Sequence, residues 1–200
     1  MYESAQDHSD HAGTRYRRQI GQQDKGSKAR GILRMIALKI EDLKSFTAQL
    51  FVGETFDGWL VREASIVTFN SFTIDGHIRQ GYYSEEELEA NRVEEFSSWK
   101  MLRPICYSLI KGKRLPESFQ ITLQLSPEEN EKFLRRVKPD FPVEQLAALY
   151  LNIRYENHAA SCVTGTSLKV FTLDKQIEHE WDDTVRRYFK KLQIPYVSAE

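Results

Sequence analysis

Residues 117–129 read ESFQITLQLSPEE, and this one stretch sets the fold class. Phe119, Ile121, Leu123 and Leu125 alternate with polar residues, the period of a half-buried strand. Ser126 then stands where a helix N-cap belongs, with Pro127 at the first helical position and Glu129 at the third, the composition of a capping box. The following helix is expected to reach about Val137 and to stop before Pro139. Working upstream, 36–40 alternates Ile36, Leu38 and Ile40 with Ala37 and Lys39. Asp42 can cap a helix whose apolar positions Leu43, Phe46, Leu50 and Phe51 keep helical spacing up to Gly53.

Between these two strand–helix pairs, 59–74 is rich in β-branched and aromatic residues and is expected to be long extended structure, with Asp75-Gly76 as a hairpin-type turn signal. The segment 82–96 holds Glu85, Glu86, Glu87, Glu89, Glu94 and Glu95 and reads as an acidic insertion facing water. Trp99, Leu102, Cys106, Leu109 and Ile110 recur at helical spacing, with the helix expected to start near Pro104. Downstream, 147–155 reads as a strand and 156–158 as a turn. One or two further strands are expected over 159–173, broken near Gly165. A last helix opens at Asp174, buries Ile177, Trp181, Val185, Tyr188, Phe189 and Leu192, and is closed by Pro195.

The expected fold is therefore α+β, a largely antiparallel sheet with helices on one face, in a single domain over 35–194. The order strand, helix, strands occurs twice, giving half-repeats 35–80 and 117–173 if the chain is internally duplicated. An ordinary α+β domain with the same local order is the simpler account. Residues 1–34 carry seven basic and four acidic side chains and no sustained apolar period, so they read as a disordered tail or a misassigned start, with Met35 as the true one.

The full chain of 200 residues has 28 Lys and Arg against 29 Asp and Glu, a net charge of −1. Length and composition exclude collagen-like and wholly disordered chains, and two cysteines are too few for a disulfide scaffold. No apolar run approaches the ~20 residues a membrane helix needs, so the expectation is a cytoplasmic protein with no membrane partner. GxSxG, HExxH, GxGxxG and GxxxxGK[ST] are all absent, and no catalytic residue, cofactor or metal ligand is assigned. The stretch 164–169, TGTSLK, lacks the glycine spacing of a phosphate loop. His179 sits among Glu178, Glu180, Asp182 and Asp183, but carboxylates near a helix N-terminus are favoured by its partial positive charge without any metal. His77 and His158 fall in turns.

The basic residues are better organised, in three groups at helix C-termini: Lys111, Lys113 and Arg114; Arg135, Arg136 and Lys138; Arg186, Arg187, Lys190 and Lys191. The last two groups are the candidate nucleic-acid-binding residues. Stabilisation of helix C-termini explains the same placement without a ligand.

The strings TFNSFTIDGHI, SSWKMLRPICYSLIKGKRLPESFQITLQLSP and LNIRYENHAASCVTGTSLKVFTLDK resemble an uncharacterised family of small clostridial proteins, a domain of unknown function, over the span from Met35 onward. That resemblance carries no catalytic residue with it. At the level of fold, the doubled strand–helix–strand–strand order is similar to a DNA sliding-clamp domain, which implies basic helices facing a duplex. The expected role is a non-catalytic binding module with an unknown protein partner. A clamp-like nucleic-acid accessory is the alternative, with nucleic acid the less favoured partner.

Overall fold

A computed structural model describes residues 35–87 and 94–199. Residues 1–34, with the tail and start expectations that concern them, lie outside the described residues, as do 88–93 of the acidic stretch. The elements are β1 (Ala37–Ile40), α1 (Leu43–Phe51), β2 (Leu60–Val67), β3 (Ser71–Asp75), α2 (Trp99–Ile110), β4 (Ser118–Gln124), α3 (Pro127–Val137), β5 (Leu146–Glu156), β6 (Ala159–Leu168), α4 (Gln176–Lys191) and β7 (Tyr196–Ala199). Among the described residues, the seven strands form one sheet of order β3-β2-β4-β5-β6-β1-β7. Every neighbouring pair is antiparallel.

Period-two alternation gives this sheet two unlike faces. Leu38, Ile66, Ile121, Leu151, Ile153 and Cys162 are fully buried on the helix side. On the other side one register row reads Ser65, Gln120, Arg154, Ser161 and Lys39, all polar. The α+β fold with an antiparallel sheet is thus as the alternation implies. The chain order strand, helix, strand, strand does recur, but the pairing does not. β4 and β5, joined through α3, are neighbours, whereas β1 and β2, joined through α1, are separated by β6, β5 and β4.

Where the capping signals are local, the elements match them. Ser126 Oγ accepts from Glu129 N–H at 3.3 Å, and Pro127 opens α3. The Glu129 carboxylate turns to Lys132 Nζ at 2.6 Å, so this side chain is engaged along the helix. The β5–β6 turn sits at Asn157 and His158, both with positive φ, as a tight hairpin requires.

Four boundaries differ from the sequence reading. The hairpin between β2 and β3 turns at Thr68–Asn70, where Thr68 N–H donates to the Asn70 carbonyl at 2.9 Å. Asp75-Gly76 instead ends β3, and Gly76 lies so close under β2 that a Cβ there would stand 1.8 Å from the Val61 carbonyl oxygen. Helix α2 begins at Trp99 with Pro104 inside it. Burial of Trp99, whose indole Nε1 donates to the Leu50 carbonyl at 2.7 Å, holds the first turn although proline removes one internal hydrogen bond. β6 runs through Gly165 unbroken to Leu168. β7, beyond Pro195, is a strand that the sequence reading lacked; it pairs with β1 and extends the sheet past Ile194.

Candidate functional site

The candidate basic residues lie on α3 and α4 and are brought to two different environments. Arg135 pairs with Glu131, Lys138 with Asp174, and Arg186 Nη1 with Asp183 Oδ1 at 2.7 Å. Arg136 and Arg187, from different helices, converge on one hydroxyl: their Nη2 atoms lie 3.3 and 2.9 Å from Thr184 Oγ1. Together with Val137 and Glu180 they line a groove of about 370 Å³ between the helices. Lys190 and Lys191 occupy the other end of α4, where Gln49 Nε2 donates to the Leu192 carbonyl at 3.4 Å.

Beside that groove runs the β6–α4 connection, 169–175. Lys169 N–H donates to the Gln145 carbonyl at 2.8 Å, and Lys138 reaches across to Asp174. The hydrogen bond from the Lys138 ammonium holds the Asp174 carboxyl below its ordinary range. Asp174 Oδ1 in turn accepts from Gln176 N–H at 2.9 Å at the head of α4. Between these ties Phe171 and Leu173 project into solvent, 90 and 83 % exposed. The strand expected over 159–173 includes them, because an apolar run beside β-branched neighbours carries the same signal in either setting, but β6 ends at Leu168.

The acidic start of α4 is dispersed by its packing. Glu178 Oε1 takes Lys175 Nζ at 3.1 Å, Asp183 takes Arg186, and Asp182 turns into the protein, where Thr164 Oγ1 donates to it at 2.5 Å. Burial raises the Asp182 carboxyl above its ordinary value. The Thr164 hydroxyl, Arg186, the Ile36 N–H and His179 oppose that rise without cancelling it. A carboxyl raised on folding contributes stability below its unfolded pKa and loses it as pH climbs through the folded value. Asp182→Asn removes the titration. The stability difference between variant and wild type should therefore move in the variant's favour as pH rises above the ordinary carboxylate value in thermal melts; a difference constant with pH would refute the assignment.

A second groove, about 430 Å³, lies at the β2–β3 side and is lined by Arg62, Glu63, Thr73, Asp75, His77, Arg79 and Phe96. Arg79 pairs there with Asp75 at 3.0 Å, and His77 Nε2 stands 3.7 Å from Glu95 Oε1. The Arg62 guanidinium sits 4.8 Å from the centre of the Phe96 ring. His158 and His179 are exposed elsewhere. Burial pushes the Cys106 thiol up to about 11 and raises Cys162 as well, so both stay protonated near neutrality.

These features describe a sheet-and-helix protein in which, among the described residues, no three His, Cys, Asp or Glu side chains gather to hold a metal ion. Nor is any helix among them long and apolar enough to cross a membrane. Residues 49–197 match the family of unknown function DUF5721, and the chain belongs to that family. No curated protein and no solved structure matches it.

Proposed function

We propose that this chain is a non-catalytic binding module that holds a protein partner at the end formed by the α3–α4 groove and the 169–175 connection. The observation that carries the reading is Phe171 and Leu173, 90 and 83 % exposed on a segment tied down at both ends. An apolar anchor held in place before binding avoids part of the ordering cost of association, and large apolar anchors beside arginine are what interface hot spots are made of. Arg136 and Arg187 stand ready at the flank for acidic or carbonyl groups of the partner. The two cysteines are unpaired and buried, which suits a reducing compartment, and the reading places the protein in the cytoplasm.

Photocrosslinking tests this directly. With p-benzoylphenylalanine at position 171 in the host cell, one discrete protein adduct is expected, absent when the probe sits at Gln120 on the open sheet face and lost on Leu173→Asp. No adduct at 171, or the same pattern from both positions, would sink the proposal.

The convergence of Arg136 and Arg187 also favours a second reading, a nucleic-acid accessory of the sliding-clamp kind. Against it stand the carboxylate pairs of Arg135, Lys138 and Arg186. Fluorescence anisotropy with labelled single- and double-stranded DNA across a salt series separates the two. Affinity falling log-linearly with salt, and lost on Arg136→Glu with Arg187→Glu, would replace the protein-partner reading. Absence of binding at low salt removes the nucleic-acid one.

A further inference from the structure

The opposite end of the sheet carries side chains that nothing above employs. The β2–β3 turn and the segment entering β4 run side by side there, with Glu117 N–H donating to the Val67 carbonyl at 2.8 Å. These adjoining loops present Phe69 and Leu115, 84 and 71 % exposed. The Phe69 ring is braced edge-on against Phe72, with centroids 5.6 Å apart. Immediately before Leu115 come Lys111, Lys113 and Arg114, all exposed. Among the described residues, none of the three lies within ion-pair distance of a carboxylate. With Glu117 counted, 111–117 carries a net charge of +2.

A single exposed apolar residue calls for no explanation. Here two of them sit on adjoining loops, and Leu115 directly follows three cations that, among the described residues, have no carboxylate within ion-pair distance, so this end is apolar on its loops and basic beside them. Two separate apolar side chains on loops bury little against a rigid protein surface, but a deformable acyl boundary can close around each of them. Phosphate and carboxylate headgroups supply the charge that the cations lack. We infer that this end docks on an anionic lipid surface, with Phe69 and Leu115 entering the headgroup–acyl boundary and Lys111, Lys113 and Arg114 held over it. The expectation of no membrane partner rested on the absence of a spanning run, and a surface contact needs none. The inference stands independently of the partner site around Phe171.

Co-sedimentation of the full chain with vesicles of phosphatidylcholine containing phosphatidylserine, against phosphatidylcholine alone, tests it. Binding to the anionic vesicles is expected at low salt and should be lost at high salt, with roughly tenfold weaker binding or less to the neutral ones. Lys111→Glu with Lys113→Glu and Arg114→Glu should weaken it about tenfold or more, as should Phe69→Ser with Leu115→Ser, while Arg136→Glu leaves it unchanged. Circular dichroism melts confirm that the variants are folded. No sedimentation with anionic vesicles at low salt, or equal binding by the variants, overturns the inference. Preferential capture of soluble polyglutamate would also overturn it, assigning this end to an acidic protein instead.

Discussion

Gly76→Ala is expected to lower folding stability by about 3 kcal/mol or more, from overpacking and lost hydrogen bonds together. The added Cβ would stand 1.8 Å from the Val61 carbonyl oxygen and 2.6 Å from its carbon. Both are backbone atoms of β2, so no side-chain rotation can relieve the clash. Gly76 also donates to the Arg62 carbonyl at 3.2 Å and accepts from Ser97 N–H at 2.8 Å. Making room means withdrawing 76–77 from β2, which breaks both bonds and loosens the buried Phe96 beside them. For a protein of this size the loss corresponds to a fall of about 6–12 °C in Tm. Gly58→Ala is the control, because nothing lies within 4 Å of a Cβ there. If the two variants melt within about 2 °C of each other, the close approach is not a constraint.

Trp99→Ala should cost about 3–5 kcal/mol, the range for deleting a large buried aromatic. Trp99 is fully buried, its ring centroid 5.8 Å from that of Phe51. It also holds α2 to the end of α1, since its indole N–H satisfies the Leu50 carbonyl. Truncation opens a cavity and leaves that carbonyl without its donor. Pro104 has already weakened the first turns of α2, so the loss should loosen the helix start along with the core. Trp99→Phe, which keeps a ring but not the N–H, should fall between Trp99→Ala and wild type in urea-induced unfolding. A loss below about 1 kcal/mol for Trp99→Ala would show that α2 is held elsewhere.

How much was legible follows from the range of the forces involved. Helix α3 could be read almost to the residue because its signals, Ser126 and Pro127 at the start and Pro139 at the stop, act within a few positions of the ends they set. The start of α2 could not, since the local penalty of Pro104 is outweighed by Trp99 meeting Leu50, 49 residues away in the chain. The candidate site divides in the same way. Arg135, Arg136, Lys138, Arg186 and Arg187 were visible as helix-end cations. Which pair with carboxylates and which converge on Thr184 depends on how α3 meets α4. Phe171 and Leu173 were missed because their exposure comes from ties to Gln145 and Lys138, both distant in sequence.

Local chemistry alone determined the α+β class, the alternation that gives the sheet one apolar and one polar face, and most of the helices and turns. These follow from periodicity, caps and backbone preference, which operate over a handful of residues. The tertiary structure alone decided the strand order, which separates β1 from β2 despite their shared helix, and added β7 as partner to β1. It also decided which charges are satisfied and which apolar side chains stay in water. Such outcomes depend on contacts between residues far apart in the chain, whose free energy is set by burial and hydrogen bonding in the assembled fold and leaves no signature in any short window of sequence.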